Sequence, residues 1–219
     1  NVALSEKKIK RTMKKTNEKG KLINLFKTKK FIEDNYEADK ENIISKYNEL
    51  GYRDATIVWD SVSNFDDRTV DIHIKIDEGQ KYYLRNINWV GNTVYPTDVL
   101  SSILGMKRGD VYNQKMLKER TQDDEDAIGN LYYNNGYVFF NLDPVEVNVD
   151  NDSIDLEMRI VEGPQASINR VRITGNDRLY EDVVRRELRT RPGDLFSKSN
   201  LERSYRELAQ MGHFNPETI

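Results

Sequence analysis

Apolar and polar residues alternate in two segments that match each other in residue class. Residues 70–76 read Val-Asp-Ile-His-Ile-Lys-Ile, and residues 154–160 read Ile-Asp-Leu-Glu-Met-Arg-Ile. A period of two is typical of a strand that buries one of its faces. Neither segment contains Pro or Gly, so both fit a central strand of a sheet.

Two helices are predicted in the middle of the chain. Pro96 favours the start of a short helix that Gly105 ends, because Pro fits a first helical turn. Asn113 can cap a longer helix that ends at Gly136, and the acidic run 123–126 then lies on its wet face. Counting back from the glycine that ends the second helix predicts five core positions: Tyr47, Tyr132, Leu208, Ile43 and Ile128.

Strand-forming residues follow the Gly-Tyr pair that ends this helix. Residues 137–147 are rich in Val, Phe and Leu, but they include Pro144, which cannot donate a ladder hydrogen bond. The strand after the Gly-Tyr turn is therefore predicted at the edge of a sheet. Asn151 and Asp152 predict a turn into a second, alternating strand at 153–161.

The chain repeats itself at a spacing of 84 residues. Glu78-Gly79 aligns with Glu162-Gly163 (162 − 78 = 84), and Gly91-Asn92 aligns with Gly175-Asn176 (175 − 91 = 84). A unit of this length can hold a small core of its own. We therefore predict a tandem array whose unit junctions lie at Glu78, Gly79, Glu162 and Gly163, and we expect the array to bend there.

The predicted fold class is α+β, in units of order strand-helix-helix-strand-strand. Two helices packed on one face of a three-stranded sheet form a two-layer arrangement. The predicted units are 1–80, 81–164 and 165–219. The first begins at Asn1, where the second has Asn92, so we expect it to lack its first strand. The third is expected to lack its C-terminal hairpin.

Composition and charge narrow the classes of protein. The 219 residues are 37% hydrophobic and 32% charged, and they include no Cys, which excludes disulfide scaffolds and thiolate sites. The net charge of −3 is uneven: residues 1–35 hold eleven Lys or Arg and four acids, so +7, and the remainder carries −10. Such a basic stretch can meet phosphates or lipid headgroups, but the wet side of a helix is the favoured interpretation.

No residue pattern predicts catalysis. The two histidines, His73 and His213, do not have metal-ligand spacing, and the run 123–126 does not alternate ligands as a calcium loop does. Phe26 and Phe31 enclose cations, a pattern compatible with stacking on bases, but no RNA or DNA motif surrounds them. We therefore predict a protein that is not an enzyme, uses no cofactor or metal, and does not bind nucleic acid.

Taken together, the motifs resemble the POTRA (polypeptide-transport-associated) domain family over the whole chain. The strand ending in Gly-Asn, the two helices, the Gly-Tyr turn and the hairpin ending in Glu-Gly follow in that order. The stretch from Arg170 to Leu188 looks much like the last such domain before a membrane barrel. The unit spans of 50, 44 and 36 residues (51 − 1, 136 − 92, 212 − 176) are similar to the third to fifth domains of a five-domain array.

The resemblance implies a periplasmic module, tethered through an outer-membrane β-barrel that follows it in the full protein. Its implied partners are unfolded outer-membrane proteins and the accessory lipoproteins of the assembly complex. An extended client can add to an open strand edge through main-chain hydrogen bonds. The alternatives are the POTRA region of another two-partner secretion or translocation barrel, and an array that acts mainly as spacer and hinge.

Two groups of residues follow as candidate binding sites. Arg185, Arg186 and Glu187 are candidates for docking a folded partner. The candidate client-binding edges lie at 54–60 and 137–143, with Asp54, Ala55, Thr56, Ile57 and Val58 in the first and Val138, Phe139, Phe140, Asn141 and Leu142 in the second.

Overall fold

The computed structural model describes residues 3–17, 30–175 and 179–214 of the chain. The helices are α1 (Glu6–Thr12), α2 (Glu33–Glu49), α3 (Thr97–Leu104), α4 (Gln114–Lys118), α5 (Ile128–Tyr133), α6 (Glu181–Glu187) and α7 (Lys198–Gln210). The strands are β1 (Thr56–Asp66), β2 (Thr69–Asp77), β3 (Tyr83–Val90), β4 (Asn141–Asp150) and β5 (Ser153–Val161). Phe26 lies outside the described residues.

Contacts within the chain divide it into two compact units. One comprises residues 1–87, 107–117 and 146–156, and the other comprises residues 88–106, 118–145 and 157–219.

The first sheet consists of β1 and β2, which pair antiparallel. Its core contains Leu4, Ile43, Tyr47 and Ala55, and isoleucines of β2 pack against this core. The charged residues and His73 that alternate with those isoleucines are exposed. The period of two along β2 therefore separates an apolar face from a wet face, as predicted.

The second sheet has the strand order β3-β5-β4, which confirms that β5 is central and that β4 is an edge. The Tyr83 N–H at the start of β3 donates to the Asp152 carbonyl, next to the start of β5, at 2.8 Å. Gly91, at the end of β3, lies against the Ile160 carbonyl near the end of β5. β3 and β5 therefore run parallel. The predicted turn connects β4 to β5, and in it Asn151 has a φ of 52°.

The long helix predicted from Asn113 to Gly136 is interrupted. Asn113 caps α4 as predicted, since its Oδ1 accepts the Met116 N–H at 2.9 Å. A π-helical turn over Glu119–Asp123 follows, and residues 124–127 are not helical. Successive acids disfavour a helix, and the Asn130 side-chain amide donates to the Asp124 carbonyl at 2.7 Å, which stabilises the break. The predicted wet helical face is therefore wrong for residues 124–126.

Both candidate edge strands begin later than predicted. Asp54 and Ala55 precede β1, and the predicted edge residues Val138, Phe139 and Phe140 precede β4. The cause is a turn at the same place in both repeats. The Ala55 N–H donates to the Tyr52 carbonyl at 3.2 Å, and the Phe140 N–H donates to the Tyr137 carbonyl at 3.1 Å. These turn bonds override the strand propensity of Val and Phe.

The third repeat has two helices but no first strand in the described residues. Residues 171–173, which match 87–89 of β3, are not a strand, and only Ser167 forms a bridge, to Leu195. In the middle repeat β3 is held by β5, whereas the described part of the chain has no strand after β5. An isolated strand has no partner for its backbone groups.

Candidate protein-binding edges and repeat junctions

Large apolar side chains of β1 project into solvent. Val58, Trp59 and Phe65 are 58%, 55% and 71% exposed. Within the described residues β1 pairs with β2 alone, so its other edge carries unpaired N–H and C=O groups. An exposed apolar strand edge of this kind can receive another extended chain.

Two irregularities bound the regular part of β1. Its register on β2 shifts at Val58 and again at Phe65. Bulges interrupt the ladder and protect an edge from pairing, so the regular window of β1 covers residues 59–64. Of the predicted edge at 54–60, only Trp59 and Asp60 lie in this window.

Asp60 connects this window to α2. Its carboxylate accepts hydrogen bonds from the Tyr36 hydroxyl at 2.9 Å and from the Lys40 ammonium at 3.4 Å. Burial, and then the hydrogen bond to Asp60, raise the pKa of Tyr36. These contacts fix the start of the window against the helix.

β4 is the second candidate edge, and its two halves differ. Leu142, a predicted edge residue, is buried, whereas Asn141 is exposed. Farther along the strand, Val147 and Val149 are exposed. The apolar surface that β4 presents to solvent therefore lies beyond Pro144, outside the edge predicted at 137–143.

The carboxylate of Glu162 is the centre of a buried hydrogen-bond cluster. It accepts the backbone N–H groups of Thr93 and Val94, both at 2.9 Å, and the Tyr132 hydroxyl at 2.8 Å. The Thr93 hydroxyl also donates to it. Burial raises the pKa of Glu162, but these hydrogen bonds outweigh burial and lower the pKa below its usual value.

Glu78 occupies the same position in the first repeat. Its carboxylate accepts the Ala3 N–H at 3.1 and 3.0 Å and the Tyr47 hydroxyl at 2.9 Å. The Glu of each Glu-Gly pair thus connects the second helix of its repeat to the segment before the first helix. Sequence reasoning placed Tyr47 and Tyr132 in the core but missed this role, although Tyr and Glu recur together in both repeats.

The glycine of each Glu-Gly pair lies against the turn that follows the second helix. Gly79 contacts Asp54, and Gly163 contacts Phe139, with φ angles of 65° and 66°. The residue three positions after each of these glycines donates its backbone N–H to the carbonyl of the glycine in the Gly-Tyr turn. The Tyr82 N–H donates to the Gly51 carbonyl at 2.9 Å, and the Ala166 N–H donates to the Gly136 carbonyl at 2.8 Å. These bonds hold the linker between repeats to the preceding repeat.

The following repeat binds the same linkers through its Gly-Asp turn. The Tyr112 N–H donates to the Tyr82 backbone carbonyl at 2.9 Å, and the Phe196 N–H donates to the Ala166 backbone carbonyl at 2.9 Å. The Gly109 N–H donates to the Leu84 carbonyl at 2.7 Å. In the second repeat pair, the Gly193 N–H donates to the Ile168 carbonyl at the same distance. We call residues 49–54, 79–84 and 107–115 the first junction, and residues 134–139, 163–168 and 191–199 the second junction.

The candidate docking residues lie at the end of α6. Arg185 and Arg186 are exposed, and Glu187 is half-buried. Arg185 pairs with Glu181 one turn earlier on the same helix. The helix therefore presents both acidic and basic side chains to solvent.

Two features are absent from the described residues. None of their helices combines the length and the apolar character needed to cross a membrane. They also contain no group of three or more His, Cys, Asp or Glu side chains placed to hold a metal ion.

Comparison with known proteins places these features in a family. The POTRA family model, described as surface antigen variable number repeat, matches residues 1–79, 82–163 and 166–218. The chain is 27% identical over 217 residues to the outer membrane protein assembly factor BamA of Neisseria meningitidis serogroup B, an alignment that covers 98% of this chain and 27% of that protein. It is 25% identical over 166 residues to BamA of Nitratidesulfovibrio vulgaris, covering 75% of this chain and 21% of that protein.

The chain thus spans only 21–27% of the length of these two relatives. The fold is similar to the crystal structure of Haemophilus influenzae BamA POTRA3-5, with a TM-score of 0.74 at 22% identity, covering 98% of this chain and 83% of that one. Since the family model matches nearly the whole sequence, the chain belongs to the POTRA family.

Proposed function

We propose that the chain is a periplasmic, non-enzymatic binding module of an outer-membrane protein assembly machine. In the full protein an outer-membrane β-barrel follows it. The similarity to two BamA proteins over 98% and 75% of the chain supports this proposal. The three POTRA matches are proposed to act as successive domains, close to the boundaries 80/81 and 164/165.

In this proposal unfolded outer-membrane proteins add as strands to β1 and β4. The observation that carries it is the strand order, in which β4 is the edge of β3-β5-β4 and β1 pairs with β2 alone in the described residues. Main-chain hydrogen bonds tolerate many client sequences, as a general assembly factor requires. The exposed Trp59 and Phe65 of β1, and Val147 and Val149 of β4, offer apolar contacts beside those bonds.

Proline substitution tests strand addition in the full-length protein. Thr56→Pro and Asn141→Pro each remove one N–H at the first residue of an edge strand, where Pro is tolerated. We expect photo-crosslinking to an unfolded client to fall several-fold while circular dichroism is unchanged. Thr56→Val and Asn141→Thr keep the N–H and serve as matched controls. Unchanged crosslinking in both proline variants would contradict strand addition at the starts of β1 and β4.

A second candidate function is that of a spacer array that sets the reach of the assembly machine. The repeated backbone bonds of the two junctions favour it, because they occur at nearly equal distances in both places. Client binding by the chain without its barrel separates the two functions. A spacer does not bind an unfolded outer-membrane protein, whereas a client-binding module does.

A further inference from the structure

The two junctions share their backbone bonds but differ in the chemistry of their side chains. At equivalent positions the first junction has Arg53, Asp54, Tyr82 and Tyr112, and the second has Val138, Phe139, Ala166 and Phe196. The first set is charged or hydroxylated, and the second is apolar. The same backbone arrangement is therefore supported by polar contacts in one place and by apolar side chains in the other.

Arg53 is the centre of the polar set. Its guanidinium pairs with Glu146 of β4, hydrogen-bonds Asp54 at 2.9 Å, and lies 4.6 Å from the Tyr82 ring centroid. The Arg53 and Glu146 side chains are only 22% and 24% exposed, so water screens this pair less than a surface pair. The Tyr82 hydroxyl donates to Asp54 at 2.7 Å. Burial raises the pKa of Tyr112, and the Glu146 carboxylate raises it further.

A second ion pair in the first junction has a neutral counterpart in the second. Lys115 lies 3.9 Å from Glu49 at the end of α2. The residues at the equivalent positions are Ser199 and Asn134, where the Ser199 N–H donates to the Asn134 side-chain oxygen at 2.9 Å. The first junction therefore depends on charge in two places where the second uses uncharged groups.

We propose that the first junction is an ionic latch closed by Arg53. Among the described residues no ion pair joins the segments of the second junction, where the Lys198 ammonium instead hydrogen-bonds the uncharged Asn130 side chain at 2.9 Å. Added salt shortens the Debye length from about 10 Å at 0.1 M to about 3 Å at 1 M and weakens charge pairs. Salt does not screen apolar contacts or hydrogen bonds between neutral groups, so these contacts do not weaken in this way. Salts that are excluded from the protein surface strengthen apolar burial. Salt therefore loosens the first junction selectively, whatever partner the chain binds.

Distance measurements on the whole chain test the latch. The chain has no native Cys, so spin labels can be attached at introduced pairs. Asp71→Cys with Arg108→Cys reports on the first junction, and Glu125→Cys with Arg206→Cys reports on the second; all four positions are exposed. In 1 M NaCl we expect the first distance distribution to widen by about half relative to 0.1 M, and the second to stay unchanged.

Substitution of Arg53 supplies the second arm. Arg53→Gln should widen the first distribution already at low salt and remove most of its salt dependence. Arg68→Gln removes an equal charge from the β1–β2 turn and should leave the distribution as it is. The latch is overturned if both label pairs respond equally to salt, or if Arg53→Gln and Arg68→Gln give the same distributions. A circular dichroism spectrum like that of the parent chain confirms that each variant is folded.

Discussion

At the scale of single residues, the Glu162 carboxylate shows how one side chain joins separate parts of a repeat. Two backbone N–H groups and two hydroxyls donate to it, and they come from the segment after β3 and from α5. Hydrogen bonds to an ionised acceptor are the stronger kind. The residue therefore acts as a tether between the two layers.

Removing the charge of this tether should destabilise the chain. We expect Glu162→Gln to lower the free energy of unfolding by about 2–3 kcal/mol at pH 7, because an amide oxygen accepts less strongly and its NH2 group faces donors. Urea denaturation measures the loss. Glu125→Gln, at an exposed position, is the matched control and should cost less than about 0.5 kcal/mol.

The same residue predicts a dependence of stability on pH. Because hydrogen bonding lowers the pKa of Glu162 in the folded chain, its contribution is complete above the usual value of 4.5 and is lost as the pH falls through the lower folded value. Below that value Glu162→Gln and the parent chain should converge in stability. A difference between them that stays constant from pH 7 to pH 3 would show that the charge is not the cause.

At the scale of secondary structure elements, the end of β3 shows why two glycines with similar backbone angles are not equivalent. Gly91 has a φ of 90°, and a Cβ there would lie 2.1 Å from the Ile160 carbonyl oxygen of β5. Gly109 has a φ of 89° and open space around it. The first glycine is needed for backbone conformation and for strand spacing, and the second only for conformation.

Alanine substitution separates the two requirements. Gly109→Ala should cost about 1–2 kcal/mol of unfolding free energy, from the left-handed backbone alone. Gly91→Ala should cost at least about twice as much, because the backbone of β5 must also move. Denaturation of the two variants side by side gives the comparison. Equal losses would show that β3 can shift away from β5 without cost.

At the scale of the whole molecule, we propose that Arg185, Arg186 and Glu187 of α6 dock an accessory lipoprotein. Reversing the charge of the exposed pair with Arg185→Glu and Arg186→Glu in the full-length protein should abolish copurification of a lipoprotein partner and spare client crosslinking. Lys7→Glu and Lys8→Glu on α1 change the net charge equally and are the control. Retained copurification in the α6 variant would exclude this docking site.

The sequence by itself determined the repeat, the order of elements and the edge position of β4. These properties depend on local chemistry: Pro144 lacks an N–H, glycine permits positive φ, and a period of two describes a half-buried strand. For the same reason the core positions Ile43, Tyr47, Ile128 and Tyr132 were predictable and are buried, whereas Leu208, the fifth predicted position, is only half-buried.

Only the tertiary structure decided what depends on residues distant in sequence. Glu78 reaches Ala3 across 75 positions, and Arg53 reaches Glu146 across 93. No local pattern encodes these pairs, because their geometry exists only after the strands and linkers are in place. The start of β4 after Phe140 was also decided by competition, in which a turn hydrogen bond overrode strand propensity.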